Sequence, residues 1–166
     1  IILPCSVEMV FIDLSRGMLG DVEGARAAWD KARPSRDQIK LILSQVDAVN
    51  ENTRGHTVVI FHADIMTEDV QVALQQCEYK SVVTCLWIKV GAQRTGVKQW
   101  NQCVEHFTVA HRKPMGEAVV WNEATDPRLR ANIICCPPVT SLQTNLKDGD
   151  PVNLTEKPVA LMARLI

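Results

Sequence analysis

Short apolar runs that end in a polar residue alternate with stretches of helical periodicity in the first half of the chain. The run from Val7 to Ile12 is followed by Asp13, and the run from Thr57 to Phe61 is followed by His62. Short runs that are mostly apolar are typical of parallel strands that are buried on both faces. Between them, a Ser35–Gln38 capping box precedes apolar residues at helical spacing. The pattern predicts strand–helix–strand units with right-handed crossovers.

The second half of the chain is predicted to consist mostly of strands. Strands are expected at residues 81–90, 104–111, 117–121 and 133–136. Further helices are expected near residues 21–31, after a Thr67 cap, and after a Thr155 cap with Pro158 in the first turn. Consecutive strands predict antiparallel pairs at one edge of the sheet. We therefore expect a three-layer α/β sandwich with a mixed, mainly parallel sheet, in one domain spanning residues 1–166.

Composition excludes several classes of protein. The formal net charge of −1 argues against a purely electrostatic nucleic-acid binder, although a local basic groove remains compatible with it. No apolar run is long enough to span a bilayer, and the chain has no signal-like start. The six cysteines show no disulfide framework, so we expect an intracellular, reducing compartment. Cys103, His106 and His111 match no zinc spacing, and we predict no metal site.

Five segments in a fixed order carry a resemblance to a known family. They read VEMVFIDLSRG, NTRGHTVVIFHAD, VALQQCEYKSVVTCLWIKV, WNQCVEHFTVAHRK and NLTEKPVALMARLI, and together they cover nearly the whole chain. In this order they resemble the permuted DNA amino-methyltransferases, which methylate the exocyclic amine of adenine or cytosine with S-adenosylmethionine. The most specific segment is the one that contains Thr155, Lys157 and Pro158. The resemblance implies a Rossmann-like methyltransferase fold.

In that family, an acidic residue and two prolines after the first strand form the catalytic loop. The carboxylate or amide oxygen and a backbone carbonyl hold the amine hydrogens, while an aromatic residue stacks on a flipped base. Here Asp13 retains the acceptor, Leu14 and Ser15 replace the prolines, and Arg16 replaces the aromatic residue. The resemblance therefore implies a flexible loop and catalysis that has been lost, with Arg16 paired to Asp13. In the alternative for Arg16, its guanidinium stacks on the base in place of the aromatic residue. The alternative is that Asp13 only caps its own turn.

The cofactor half of the family's fold follows the helix that starts at the Thr-x-Lys-Pro segment. The sequence given ends within that helix, so the resemblance implies a partial fold that lacks the glycine-rich cofactor loop. Thr155, Lys157 and Pro158 would then line only the methionine end of the pocket. S-adenosylmethionine is the cofactor that the family implies, and we expect that this chain does not bind it.

A basic loop and a neighbouring strand end suggest a nucleic-acid surface. The candidate contacts are phosphate-binding side chains and one stacking ring, namely Arg94, Lys98, Trp100, Arg112 and Lys113. The alternative is a solvated loop beside a core tryptophan. Gly17, Gly20 and Gly24 also follow a strand, but they lack the spacing of a phosphate-cradling loop.

Three functional hypotheses follow from these residues. The first is an inactive methyltransferase-fold protein that acts as a nucleic-acid-binding or scaffold subunit of a nucleic-acid-processing or ribonucleoprotein assembly, as a homodimer or heterodimer. The second is an active DNA or RNA amino-methyltransferase that is completed by residues beyond Ile166 or by a partner chain. The third is a small nucleotide-binding or hydrolase domain that uses Gly17 to Gly24. The altered loop favours the first hypothesis.

Overall fold

The computed structural model describes residues 9–14, 33–50, 55–90, 103–112, 132–138 and 157–165. These residues form five strands, three α-helices and one 3-10 turn at Asp64–Met66. In chain order the elements are β1 (Met9–Asp13), α1 (Arg36–Val49), β2 (His56–His62), α2 (Thr67–Gln76), β3 (Lys80–Lys89), β4 (Val104–Arg112), β5 (Ile133–Cys136) and α3 (Val159–Leu165). The predicted helix near 21–31 and the predicted strand at 117–121 lie outside the described residues.

The strands form one mixed sheet in the order β1-β2-β4-β3-β5. β1 runs parallel to β2, with Asp13 opposite Phe61. β4 runs antiparallel to β2, and β5 runs parallel to β3. The expected α/β class with a mixed sheet is confirmed, as is the parallel neighbour of β1 that the sequence placed between Thr57 and Ala63.

The sequence predicted antiparallel strands at one edge of the sheet. In the described sheet, the strand that runs antiparallel to β2 is not at an edge. β4 lies in the middle, between β2 and β3. Phe107, Thr108, Val109 and Ala110 are consecutive and all buried, so both faces of β4 are covered. A strand that is apolar on both faces is stable only when other elements cover each face. The strands on its two edges, β2 and β3, pair its backbone groups. The connection from β3 to β4 therefore brings the later strand, not the earlier one, beside β2.

The chain divides into two compact units. The first comprises residues 1–85 and 106–124, and the second comprises residues 86–105 and 125–166. In the first unit, α1 and α2 pack on the strands around one apolar cluster. Its fully buried members include Leu43 of α1, Val58 and Ile60 of β2, and Leu74 of α2.

Helix α1 forms as the sequence predicted. The Ser35 hydroxyl accepts a hydrogen bond from Gln38 N–H, and the Ser35 N–H donates to Gln38 Oε1 at 2.7 Å, which completes the capping box. Ile39 and Leu43, one turn apart, are buried on the strand side. Arg36 Nη2 lies 2.8 Å from Asp69 Oδ1, which joins the starts of α1 and α2.

Two predicted helix starts differ from the structure. Thr67 is the first residue of α2 rather than its cap, because the 3-10 turn at Asp64–Met66 leads directly into the helix. The Thr67 hydroxyl donates a hydrogen bond to the Asp64 carbonyl at 2.6 Å. Pro158 precedes α3 rather than lying in its first turn, and its carbonyl accepts from the Leu161 and Met162 N–H groups. Proline fits that position because it has no N–H to leave unpaired. Thr155 lies outside the described residues.

The second unit is built around a buried tryptophan. Trp87 of β3 donates its indole N–H to the Cys136 carbonyl of β5 at 2.9 Å. Helix α3 packs against β5 and buries Leu161. β5 ends at Cys136, and Pro137 follows, as the sequence predicted. Among the described residues, no helix has both the length and the apolar character that a bilayer crossing needs.

Two leucines on α1 provide a matched test of the core of the first unit. Leu43 is fully buried, whereas Leu41 is 59% exposed. We expect Leu43→Ala to lower the free energy of unfolding by about 2–5 kcal/mol through the lost transfer energy and the cavity left behind. Leu41→Ala should change it by less than about 0.5 kcal/mol. Urea unfolding followed by circular dichroism measures both, and equal losses would contradict the assigned core.

Candidate functional site

The first candidate site is the end of β1, which we call the β1 tip (Asp13 and Leu14). Asp13 is exposed and is the last residue of the strand. Leu14 is 5% exposed and belongs to the core of the first unit. Its N–H donates to the Phe61 carbonyl at 2.9 Å, which extends the β1–β2 ladder by one bond. Thus the residue after the acidic side chain is anchored both by its side chain and by its backbone.

A proline could not replace Leu14 without a loss. Proline has no N–H, so the bond to the Phe61 carbonyl would be absent, and its ring would not fill the space of the leucine side chain. The structure thus shows Leu14 held against the sheet, and the flexible loop stays a prediction. Ser15 and Arg16 lie outside the described residues.

Behind the β1 tip, in the same unit, lies the buried side chain of His62. Its Nε2 is 2.9 Å from the Thr108 hydroxyl, and its Nδ1 is 2.9 Å from the Ala63 carbonyl. Burial lowers the pKa of His62, and neighbouring His106 acts in the same direction, whereas the Ala63 carbonyl and Asp64 raise it. The net lowering means that His62 is neutral near pH 7.

At the opposite end of β2, the carboxylate of Asp47 joins α1, β2, β4 and the residues between α2 and β3. The Tyr79 hydroxyl donates to Asp47 Oδ1 at 2.8 Å, and its oxygen lies 2.8 Å from His56 Nε2. Arg112 Nε lies 3.3 Å from Asp47 Oδ2, and Arg112 also donates to the Cys77 carbonyl. Burial, followed by the charge of Arg112, lowers the pKa of His56, while Asp47 opposes them.

This arrangement decides where Arg112 lies. In the strand register, Arg112 of β4 lies opposite His56 at the start of β2, whereas Asp13 of β1 lies opposite Phe61 near the other end. Five residues separate those positions on β2, which is about 17 Å at the rise of a strand. Arg112 is thus far from the β1 tip and already holds a carboxylate. Its assignment to nucleic acid stays a prediction, as do those of Arg94, Lys98, Trp100 and Lys113, which lie outside the described residues.

The second unit contains an ionic cluster (Lys89, Glu105 and Lys157) that the sequence analysis did not assign. Glu105 is 3% exposed. Lys89 Nζ lies 2.8 Å from its Oε2, and Lys157 Nζ lies 3.0 Å from its Oε1. The Lys89 ammonium also lies 4.9 Å from the centre of the Trp87 ring. One buried carboxylate therefore joins β3, β4 and the residue two positions before α3.

Each member of the ionic cluster belongs to a different segment of the family resemblance. Lys89 lies in the segment VALQQCEYKSVVTCLWIKV, Glu105 in WNQCVEHFTVAHRK and Lys157 in NLTEKPVALMARLI. Lys157 was predicted to line a cofactor pocket, and the structure shows its ammonium paired with Glu105. Pro158, the other described residue of that prediction, is buried. A glutamate inside an apolar strand is the signal that could have revealed the cluster, because a buried carboxylate requires a cationic partner.

Metal binding has no support in the part of the chain that the structure describes. It contains no group of three or more histidine, cysteine or acidic side chains that could hold an ion. His106 and His111 have separate partners, since His106 Nε2 lies 3.3 Å from Asp64 Oδ1 and His111 Nδ1 lies 2.8 Å from the Thr57 hydroxyl.

Comparison with known proteins identifies the fold. The chain is similar to the crystal structure of the M1.HpyAVI–SAM complex, with a TM-score of 0.58 and 17% sequence identity over 97% of this chain and 65% of that one. The chain thus spans about two thirds of the length of that neighbour. The fold is a methyltransferase-like α/β fold. No family model matches the chain, and no curated protein matches it either.

Removing the carboxylate at the centre of the ionic cluster should strongly destabilise the protein. Glu105→Gln leaves two partly buried ammonium groups without a full counter-charge, and we expect a loss of about 3–5 kcal/mol in the free energy of unfolding. In Glu105→Gln/Lys157→Met, the loss should be smaller than the sum of the two single losses by about 1–3 kcal/mol. Asp37→Asn, which breaks the exposed Asp37–Lys40 pair, is the control and should have little effect. Additive losses in urea unfolding would contradict the cluster.

The two buried histidines predict a pH dependence of stability. Their pKa values in the folded protein lie below 6.5, whereas the unfolded chain titrates near 6.5. Below that pH the unfolded chain binds more protons, so the free energy of unfolding should fall as the pH is lowered from 7.5 to 5.5. His56→Gln should reduce this dependence. Urea unfolding across that range measures it, and stability that rises toward pH 5.5 would show that the assigned pKa direction is wrong.

Proposed function

We propose that this chain is a nucleic-acid-binding protein with a methyltransferase fold that does not transfer methyl groups to exocyclic amines. It acts as a subunit of a nucleic-acid-processing or ribonucleoprotein assembly. The proposal that methyl transfer has been lost is supported above all by the environment of Leu14. Its side chain lies in the core, and its N–H donates to the Phe61 carbonyl. The fold similarity to the M1.HpyAVI–SAM complex supports comparing Leu14 with the catalytic-loop position of the family that the sequence resembles.

The chemistry of amine methylation explains why Leu14 matters. An exocyclic amine is a poor nucleophile because its lone pair is delocalised into the ring, so the loop must hold an acceptor oxygen and a backbone carbonyl in a fixed geometry. Two consecutive prolines provide that geometry through their locked φ angles. Leu14 instead continues the strand ladder, and Ser15 and Arg16 supply neither the rigidity nor the neutral stacking ring. Arg16 beside Asp13 would bind the carboxylate that the amine needs.

Nucleic-acid binding is supported by the composition of the segment between β3 and β4. Arg94 and Lys98 can contact phosphates, and Trp100 can stack on an unpaired base. A net charge near zero makes a localised surface of this kind necessary, because the protein as a whole does not attract a polyanion. Binding should therefore depend on these few side chains rather than on total charge.

A second candidate function is active methyl transfer, and the exposed side chain of Asp13 favours it. A carboxylate at the carboxyl end of a strand next to a parallel neighbour is where open α/β sheets place catalytic groups. In this case Asp13 accepts a hydrogen bond from the amine, and the cofactor is bound by residues outside the described part or by a partner chain.

Binding and transfer can be tested together on the same protein. Fluorescence anisotropy with labelled single-stranded DNA and RNA measures binding at several salt concentrations. Arg94→Glu/Lys98→Glu should weaken binding and lower the slope of log K against log salt by about 1.4, which is the effect of two lost phosphate contacts on a single strand. Arg33→Glu/Lys80→Glu makes the same charge change at exposed sites and should leave the slope unchanged. Equal weakening in both variants would refute the localised surface.

Transfer is measured with radiolabelled S-adenosylmethionine and the same oligonucleotides. We expect no incorporation by the protein above that of a reaction without it. Incorporation that is abolished by Asp13→Ala, and retained by the exposed control Asp37→Ala, would establish the second candidate function and overturn the first.

A further inference from the structure

A chain of hydrogen-bonded side chains crosses the interior of the first unit and plays no part in the proposed function. We call it the hydroxyl chain (Gln71, Thr84, Thr108 and His62). Gln71 Nε2 donates to the Thr84 hydroxyl at 2.9 Å. The Thr84 and Thr108 hydroxyl oxygens are 3.2 Å apart, and the Thr108 oxygen is 2.9 Å from His62 Nε2. His62 Nδ1 completes the path at the Ala63 carbonyl, 2.9 Å away.

The two ends of the hydroxyl chain determine the direction of every bond in it. The Ala63 carbonyl can only accept, so His62 Nδ1 carries a proton. With neutral His62, Nε2 has no proton and must accept from the Thr108 hydroxyl. The Thr108 oxygen then accepts from Thr84, and the Thr84 oxygen accepts from the Gln71 amide. All bonds therefore run from the helix α2 surface toward His62.

A single proton reverses this direction. When His62 is protonated, both ring nitrogens are donors, so Nε2–H must donate to the Thr108 oxygen. Thr108 then donates to Thr84, and in the reversed arrangement the Thr84 O–H, which no longer donates to Thr108, donates to an acceptor on Gln71. The Gln71 side chain supplies one if its amide rotates by half a turn, which exchanges Nε2 for Oε1. The same four residues thus have two fully bonded arrangements.

We propose that the hydroxyl chain is a two-state proton switch, in which uptake of a proton by His62 is transmitted through Thr108 and Thr84 to rotation of the Gln71 amide on helix α2. Gln71 is half-buried, so its amide presents a donor or an acceptor to the surface of the helix according to the state of His62. The charged state also places a positive charge beneath the turn at Asp64–Met66, where β2 ends beside the β1 tip.

The charged groups around His62 decide how the switch responds to pH. From β4, the His106 ring stacks on His62 with centroids 6.3 Å apart, and from the 3-10 turn, Asp64 lies 3.3 Å from His106 Nε2. Helix α2 and β3 contribute the neutral side chains of Gln71 and Thr84, and β1 ends nearby at Asp13 and Leu14. Burial and His106 lower the pKa of His62, so the neutral arrangement is the resting state and acid drives the reversal.

The resting state can be tested in the wild-type protein. Nitrogen chemical shifts of the histidine side chains distinguish the two neutral tautomers and the protonated ring. We expect neutral His62 to carry its proton on Nδ1. A proton on Nε2 at neutral pH would overturn the assigned direction of the hydroxyl chain. This measurement uses only the wild-type protein, so it does not depend on the folding of a variant.

Transmission is tested by replacing the residue at the far end. Gln71→Glu supplies only an acceptor to Thr84, which favours the reversed arrangement, and should raise the pH midpoint of the His62 titration by about 1 unit. The matched control is the same substitution in a Thr84→Val background, where the chain is cut and only the through-space effect of the new charge remains. A smaller shift in the control supports transmission. An equal shift in both backgrounds overturns it.

Discussion

The parallel pairing of β1 with β2 is the constraint on which the functional argument depends. It brings Asp13 beside Phe61 and continues for one bond beyond the strand, through the Leu14 N–H. A catalytic loop of the amino-methyltransferase kind begins where that pairing ends, because the peptide after the acidic residue must turn its carbonyl toward the substrate. In this chain the N–H of that peptide, on Leu14, donates to the Phe61 carbonyl of the sheet. The geometry of one hydrogen bond thus links the topology of the first unit to its chemistry.

Each compact unit has its own way of stabilising polar groups in an apolar interior. The first unit uses neutral hydrogen bonds around His62 and a carboxylate, Asp47, that is held by Tyr79 and Arg112. The second unit uses full charges, with Glu105 paired to two lysines. Neutral networks can reverse direction at small cost, whereas a buried ion pair resists any change in its partners. Adaptability therefore belongs to the neutral hydrogen bonds around His62, and rigidity to the ion pairs of Glu105.

The sequence predicted the elements well where local signals determine them. The Ser35 capping box and the apolar periodicity after it predicted α1, and the mostly apolar runs predicted β1 and β2. It could not predict the central position of β4, because strand order depends on long-range pairing between strands, and local periodicity does not report that pairing. Nor could it bring Lys89, Glu105 and Lys157 together, since the three residues are far apart in sequence and meet only through the fold.

At the β1 tip, a leucine in place of a proline has opposite effects on folding and on amine methylation. Replacing a proline by leucine after Asp13 adds a ladder bond and buried apolar surface, so the substitution favours folding. The same substitution removes the locked φ angle on which amine activation depends, so it disfavours catalysis. A protein under selection for transfer would reject this exchange, whereas one selected only to fold and bind would accept it. Leu14 therefore supports the proposed binding function, whereas the exposed Asp13 supports the second candidate function.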